Sequence, residues 1–259
     1  MNMDELNEMF GNNIEFSIKK RFGIIKLARE NRANSLTLEM IENLKHALLY
    51  CQNTERIRGL ILTGKGNTFT TGLDLDSIDP SDKDMVRKYE NTAAEIIEII
   101  FKGKPSICAI NGRTMGDGVV YALSCDYSIA IEDSFFQMPE ILSGIFPGAG
   151  TIPLMTKILG ISWTKKILIF AEKIDSKRAL EINMIDKIVN DRTSLMKVSL
   201  HKARFLSTKN QQVLNLIKLC ANFLGDKRYE VAYNYEKKAL NIWISSDKNQ
   251  FDDFRKGIS

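Results

Sequence analysis

Apolar residues recur along this chain in two alternating rhythms, short β-like runs and longer stretches at helical spacing. Ile14–Ile18 and Phe22–Ala28, parted by Lys19-Lys20-Arg21, predict an antiparallel hairpin. Thr37 then reads as an N-cap with Glu39 in the first turn, ahead of Leu38, Ile41, Leu44 and Leu48 on one helical face. Gly59–Thr63 is a short apolar strand that ends in the turn Gly64-Lys65-Gly66. A longer helix is expected from Asp82 to Phe101, with Val86, Ala93, Ile97 and Ile100 facing inward.

The cycle repeats after Lys104-Pro105. Strand Ile107–Ile110 runs into the turn Asn111-Gly112, a helix from about Gly116 to Ser124, and a strand at Tyr127–Ile131. Strands alternating with helices imply an α/β architecture. Beyond Thr193 the pattern is helical, in segments 194–206, 209–224 and 227–245, with Trp243, Phe251 and Phe254 loading apolar surface near the end. The expected division is a core over 1–199 and a helical region over 200–259. All five prolines fall between Pro80 and Pro153, so rigid turns concentrate in mid-chain, where a site is expected.

Composition removes several classes. At 259 residues, 44% hydrophobic and 26% charged, the chain is long enough to bury a large core without disulfide or metal staples. The net charge of +4 is small for a dedicated nucleic-acid binder. From His201 onward, eleven Lys and Arg stand against six Asp and Glu, a basic tail suited to a phosphorylated molecule or an acidic surface. Cys51, Cys108, Cys125 and Cys220 lie far apart, and His46 and His201 are the only histidines, so no metal site is expected. No apolar run approaches the ~20 residues of a membrane span. The acidic opening MNMDELNEMF carries no leader pattern, so a cytoplasmic protein is expected.

Three segments carry candidate chemistry. Phe69 to Leu75 follows a strand, and Asn111 to Gly118 joins a strand to a helix. Glycines there allow close approach to the backbone, and a helix start offers unpaired N–H groups. Two such loops aimed at one point would form an oxyanion hole. The third segment is Phe136 to Glu140 with Gly144 to Gly150; Glu140 is its candidate acid or base. Nucleotide motifs fail. Gly116 to Tyr121 lacks the third glycine of a dinucleotide fingerprint, and Gly64-Lys65-Gly66 lacks the ending of a P-loop.

Taken in order, Arg32 to Leu36, Leu60 to Gly64 with Phe69 to Leu75, Lys104-Pro105 with Ile110 to Gly112, Cys125-Asp126, Pro139-Glu140 with Gly144 to Gly150, and Lys173 to Val189 resemble the enoyl-CoA hydratase/isomerase (crotonase) superfamily. The resemblance implies a spiral of ββα units, a helical C-terminal region that builds homotrimers or hexamers, and an acyl-CoA thioester substrate. Coenzyme A would enter as part of that substrate, with no separate cofactor and no nucleic acid. It also implies that the backbone N–H groups of Leu73 and Asp117 stabilise an enolate, with Glu140 as the proton carrier. Substrate contacts fall on Arg32, Asn34, Leu36, Thr71, Gly72, Gly116, Arg255 and Lys256. Asn183 stands where the family has Gly, in a left-handed turn.

Two departures matter. A hydratase of the family orients water between two glutamates, and the second maps to Val120, which transfers no proton. Isomerisation of a 3-enoyl to a 2-enoyl thioester needs one carboxylate and is the leading reading. Enoyl-CoA hydration is the enzymatic alternative, and a non-catalytic acyl-CoA or RNA binder the alternative of another class. Asp117 replaces the family's Gly, and its side chain is expected to cap the helix start and point outward. The other reading makes it a substitute carboxylate, one helical turn from Val120.

Overall fold

Each repeat of the chain sends its first strand to one sheet and its second strand to another. The computed structural model describes residues 3–79, 81–224, 231, 238 and 248–257. A short helix α1 (Met3–Met9) precedes the expected hairpin, β1 (Ile14–Lys19) and β2 (Phe22–Leu27), which is antiparallel in register Ile14 to Leu27. Helix α2 (Leu38–Asn53) starts at the expected cap, with the Thr37 side chain accepting a hydrogen bond from Met40 N. Three turns of the repeat follow: β3 (Gly59–Gly64), β4 (Thr68–Thr70) and α3 (Lys83–Lys102); β5 (Ser106–Ile110), β6 (Arg113–Met115) and α4 (Asp117–Ser124); β7 (Tyr127–Ile131), β8 (Phe135–Gln137) and α5 (Thr151–Ile169). The chain continues through β9 (Ile174–Asp175), α6 (Ser176–Glu181), β10 (Lys187–Val189), α7 (Arg192–Ser207), α8 (Gln211–Leu224) and α9 (Lys248–Gly257).

One sheet has the order β1-β2-β3-β5-β7-β10, and the other β4-β6-β8-β9. Strands β2, β3, β5, β7 and β10 are mutually parallel. Every residue of β3 and β5 is buried, as expected of parallel strands covered on both faces. One face packs on α2, α3 and α4 through Leu60, Leu62, Cys108 and Ile110; the other packs on α7 through Ile61, Ile107 and Ile129. This is the α/β spiral of ββα units that the sequence leads one to expect.

Asparagines hold two of the corners, one buried and one exposed. Asn111 Oδ1 accepts from Gly64 N at 3.0 Å, while its amide donates to the carbonyls of Gly66 and Thr68 at 2.9 and 3.1 Å. Asn183 adopts the left-handed φ of 61° that its place in a glycine-like turn requires.

The helices can be set against the expected segments. The inward face of α3 is Tyr89, Thr92, Ala93, Ile96 and Ile100, so Ala93 and Ile100 are buried as expected, while Val86 and Ile97 pack half-buried against the core. The expected division after residue 199 falls inside α7, whose Leu195 and Ala203 are both buried. Segments 194–206 and 209–224 are helical, but 227–245, with Trp243, lies outside the described residues apart from isolated positions.

Candidate active site

Two loops converge through glycines that only glycine suits. Gly72 has φ 75°, and Gly116 has φ 52° with ψ −127°. A Cβ built on Gly72 would stand 3.1 Å from Gly116 Cα and 3.2 Å from Asp117 N, so the loops are in backbone contact. The first loop is braced from three sides. Thr70 Oγ1 accepts from Gly72 N at 3.0 Å and donates to the Asn34 carbonyl at 2.7 Å. Leu36 N donates to the Gly72 carbonyl, and Asp74 N to the Leu36 carbonyl, fixing Leu73 between them. The second loop is tied by Gly116 N to the Gln137 carbonyl at 3.1 Å. Among the described residues, neither Leu73 N–H nor Asp117 N–H has a protein acceptor. The expected pair of free amides is therefore brought together, with Asp117 at the N-terminal end of α4, where the helix dipole favours an anion.

Glu140 meets these loops from the other side. It opens a short 3-10 turn after Pro139, with Gly144 closing that turn in the left-handed conformation. Its Oε1 would lie 3.0 Å from a Cβ on Gly116, and its Oε2 is buried without a hydrogen-bond partner among the described residues. Burial pushes the Glu140 carboxyl up to about 7, and the nearby Asp117 and Glu90 carboxylates push the same way. A carboxyl with that value can exist in either protonation state near neutral pH, as an acid or base requires. Val120, within α4, is buried in the core and brings no acid to this point.

Asp117 does not cap α4 outward. The N-cap, Gly116, makes no side-chain cap bond, and Asp117 Oδ2 instead accepts a hydrogen bond from Tyr89 Oη of α3 at 2.7 Å. Burial holds the Asp117 carboxyl above its ordinary value, opposed by the Tyr89 hydrogen bond. Glu90 is likewise raised, first by burial and then by Asp117, while Ala149 N–H stabilises its charge. Tyr121, one turn along α4 from Asp117, is fully buried, and its hydroxyl has no partner among the described residues.

A cavity of about 600 Å³ opens in front of Glu140, with Arg32, Thr71, Leu73, Asp76 and Gly116 in its wall. Arg32 stands at the mouth, 2.5 Å from Asp76 and 3.6 Å from Asp74. Asp74 is buried, caps the short turn 75–77 and pairs with Arg29. Of the other expected contacts, Thr71 lines the cavity, whereas Asn34 and Leu36 do not. The Asn34 amide is fully buried and donates to the carbonyls of Lys65, Thr68 and Phe69 at 3.0, 2.8 and 3.2 Å, so it braces a corner. The Leu36 side chain is core, and only its backbone touches the site loop. Lys256 lies in a separate groove beside Lys45 and Glu95, away from this cavity, and the Arg255 side chain lies outside the described residues.

Arg29, Tyr89, Glu90 and Tyr121 escape a reading of the sequence. A tyrosine on the buried face of α3 reads as packing, and nothing local shows that its hydroxyl meets a carboxylate 28 positions later. Arg29 carried one clue, its place three residues before Arg32 beside the loop.

A family model described as enoyl-CoA hydratase/isomerase matches residues 17–258. The crotonyl-CoA hydratase of Syntrophomonas wolfei is 27% identical over 236 residues, covering 90% of each chain. The 1,2-epoxyphenylacetyl-CoA isomerase of Escherichia coli is 28% identical, covering 93% of this chain and 92% of its own. The crystal structure of an enoyl-CoA hydratase from Bacillus anthracis superposes with a TM-score of 0.85 at 25% identity, over 94% of this chain and 95% of that one. The chain belongs to the enoyl-CoA hydratase/isomerase (crotonase) family of acyl-CoA-processing enzymes.

Proposed function

We propose that this protein moves the double bond of an acyl-CoA thioester from the 3,4 to the 2,3 position, with Glu140 as the single proton carrier. The observation that carries this reading is the pairing of a half-buried Glu140 beside Gly116, its Oε2 out of solvent, with a valine, Val120, at the position of the second family acid. The Glu140 carboxylate removes a proton from C2, and the C–H electron pair flows into the thioester carbonyl. The resulting dienolate oxygen accepts hydrogen bonds from Leu73 N–H and Asp117 N–H. On collapse, the C2–C3 double bond forms, C4 takes the proton back from Glu140, and the carboxylate is restored. One group thus serves as base and then acid.

Arg32 at the mouth is the proposed contact for coenzyme A, with Thr71, Gly72 and Gly116 along the thioester. A homotrimer or hexamer fits the exposed Leu142, Phe146 and Phe170, which offer apolar surface for association. In such an assembly Arg255 and Lys256 would serve a neighbouring subunit's site, since Lys256 stands apart from the cavity of its own chain. A cytoplasmic location is part of the same reading; among the described residues no helix is long and apolar enough to cross a membrane.

Enoyl-CoA hydration is the second reading. It is favoured by Asp117, a second carboxylate near Glu140, and by the hydratase named among the relatives. Incubation with a 3-enoyl-CoA and, separately, a 2-enoyl-CoA decides between them. Isomerisation raises the conjugated-thioester absorbance of the first, whereas hydration abolishes that of the second. Loss of the second signal at a rate above the gain of the first would overturn the isomerase reading.

A further inference from the structure

We propose that Tyr89 is a positioning residue for Glu140 that acts through Asp117. Its hydroxyl holds the Asp117 carboxylate charged and turned toward α3, and that fixed charge, next to the glycine on which Glu140 leans, drives Glu140 to accept a proton. The inference rests on Glu140 as the proton carrier of the reading above.

Gly116 is the common neighbour. Glu140 Oε1 stands 3.0 Å from the place of a Cβ on Gly116, and Asp117 follows Gly116 as the first residue of α4. Two acids from separate elements thus adjoin one glycine. Tyr89 reaches one of them from a third element, α3, where its Oη donates to Asp117 Oδ2 at 2.7 Å. That length is typical of a hydroxyl bonded to an ionised carboxylate. Tyr89 is only 3% exposed, so water competes little for this bond.

The bond decides a balance. Burial favours the neutral acid at Asp117, and the Tyr89 hydrogen bond favours the anion. Burial, and then the Asp117 charge, holds the Tyr89 hydroxyl well above its ordinary value, so it keeps its proton and donates. The Tyr121 hydroxyl, in electrostatic contact with Asp117, has no hydrogen-bond partner among the described residues and does not share that task.

The titratable groups facing this pair are Tyr89 and Glu90 on α3 and Tyr121 on α4. Across the cavity stand Asp74, Asp76 and Arg32, and Arg32 is taken up by the two aspartates. Asp117 and Glu90 therefore act on Glu140 with charges of one sign. A like charge disfavours the ionised form, which makes the Glu140 carboxylate a stronger base. Without the Tyr89 hydroxyl, Asp117 keeps its proton over more of the pH range, and Glu140 loses that charge beside it.

Glu140 is titrated in two ways: by kcat/KM against pH with a 3-enoyl-CoA, and by the carboxyl carbon-13 shift of labelled protein, with Glu140→Gln assigning the signal. Tyr89→Phe and Asp117→Asn should each move the inflection from about 7 to lower pH. A move of about 0.5 pH unit raises kcat/KM on the acid limb, relative to its plateau, about threefold. Tyr89→Phe added to Asp117→Asn should move it no further. Ile96→Val, an apolar change on the same buried face of α3, should leave it in place. Thermal melts confirm folding, and Tyr89→Met takes the place of Tyr89→Phe if the latter does not fold. An inflection unmoved in either single variant overturns the proposal. So does a Tyr89→Phe effect of equal size with and without the Asp117 carboxylate, which would mean that Tyr89 does not act through it. The carbon-13 titration needs no turnover. Moved inflections there, in an enzyme that does not isomerise the 3-enoyl ester, keep this proposal and overturn the isomerase reading instead.

Discussion

Glu140 Oε1 lies 3.0 Å from the point where a Cβ on Gly116 would stand, so the proposed base and the second oxyanion loop share one surface with no room between them. Gly116 also holds φ 52° and ψ −127°, a conformation that L side chains avoid. Gly116→Ala therefore carries both backbone strain and a displaced carboxylate. We expect about 1–3 kcal/mol of lost stability and a fall in turnover of at least about tenfold, since a small misplacement of a catalytic group is costly. Thermal melts and steady-state rates check it. A variant with unaltered rate would show that Glu140 does not work from this position.

Glu140→Gln removes the proposed proton carrier while preserving shape. Turnover of a 3-enoyl-CoA should fall by about 10²–10⁴, with Kd for a saturated thioester little changed. The wild-type kcat/KM should rise with pH through an inflection near 7, because the base acts ionised and its carboxyl is raised to about 7. The same shift has a stability sign. The folded state holds this proton more tightly than the ordinary value of 4.5 allows, so its contribution is full below that value and lost as pH rises through about 7. Glu140→Gln escapes that loss. Its Tm should match wild type near pH 4 and exceed it by about 4 °C at pH 8; equal Tm values at both pH values would contradict the buried, raised carboxyl.

Asn34 invites the opposite outcome from the one its sequence context suggests. Its amide donates to three backbone carbonyls at the corner between β3 and β4, and its own φ of 54° is left-handed. Asn34→Gly keeps the backbone at ease and loses the hydrogen bonds; Asn34→Ala loses both. Expected losses are about 2–3 kcal/mol for Gly and about 1 kcal/mol more for Ala. Denaturant melts of the two variants separate the terms. KM for the thioester should move little in the folded protein, since the side chain does not reach the cavity.

What the sequence made legible follows from range. The hairpin, the Thr37 cap and strands β3, β5 and β7 rest on local pattern, and they form where the pattern places them. The second sheet was invisible because β4, β6 and β8 are three residues each, too short to show a period, and exist only by pairing with one another. The meeting of the loops at Leu73, Asp117 and Glu140 was legible only through family resemblance. Their neighbours Tyr89 and Glu90 were not, because helix α3 brings them in from a segment where that resemblance is weakest. Asp117 shows the limit most clearly. A carboxylate at a helix start ordinarily caps outward, and only a tyrosine from another helix turns it inward.

Lys218 ties helix α8 to the spiral. Its ammonium donates to Asp126 Oδ2 and to the Ile100 carbonyl, each at 2.7 Å, and its side chain is 6% exposed. The same Asp126 oxygen accepts from Ser106 N at 2.7 Å at the start of β5, so one carboxylate joins the sheet to the helix. Lys218→Met removes the cation and leaves Asp126 half-buried with only neutral donors. Breaking one side of such a pair should cost about 2–4 kcal/mol, and hydrogen exchange should speed first in α8, not in β3 or β5. Adding Asp126→Asn should recover part of the loss, because the uncompensated charge is then gone. If the double variant is no more stable than Lys218→Met alone, the pair is not what holds α8 in place, and the apolar contact of Phe101 with Phe223 across the same interface would take that role.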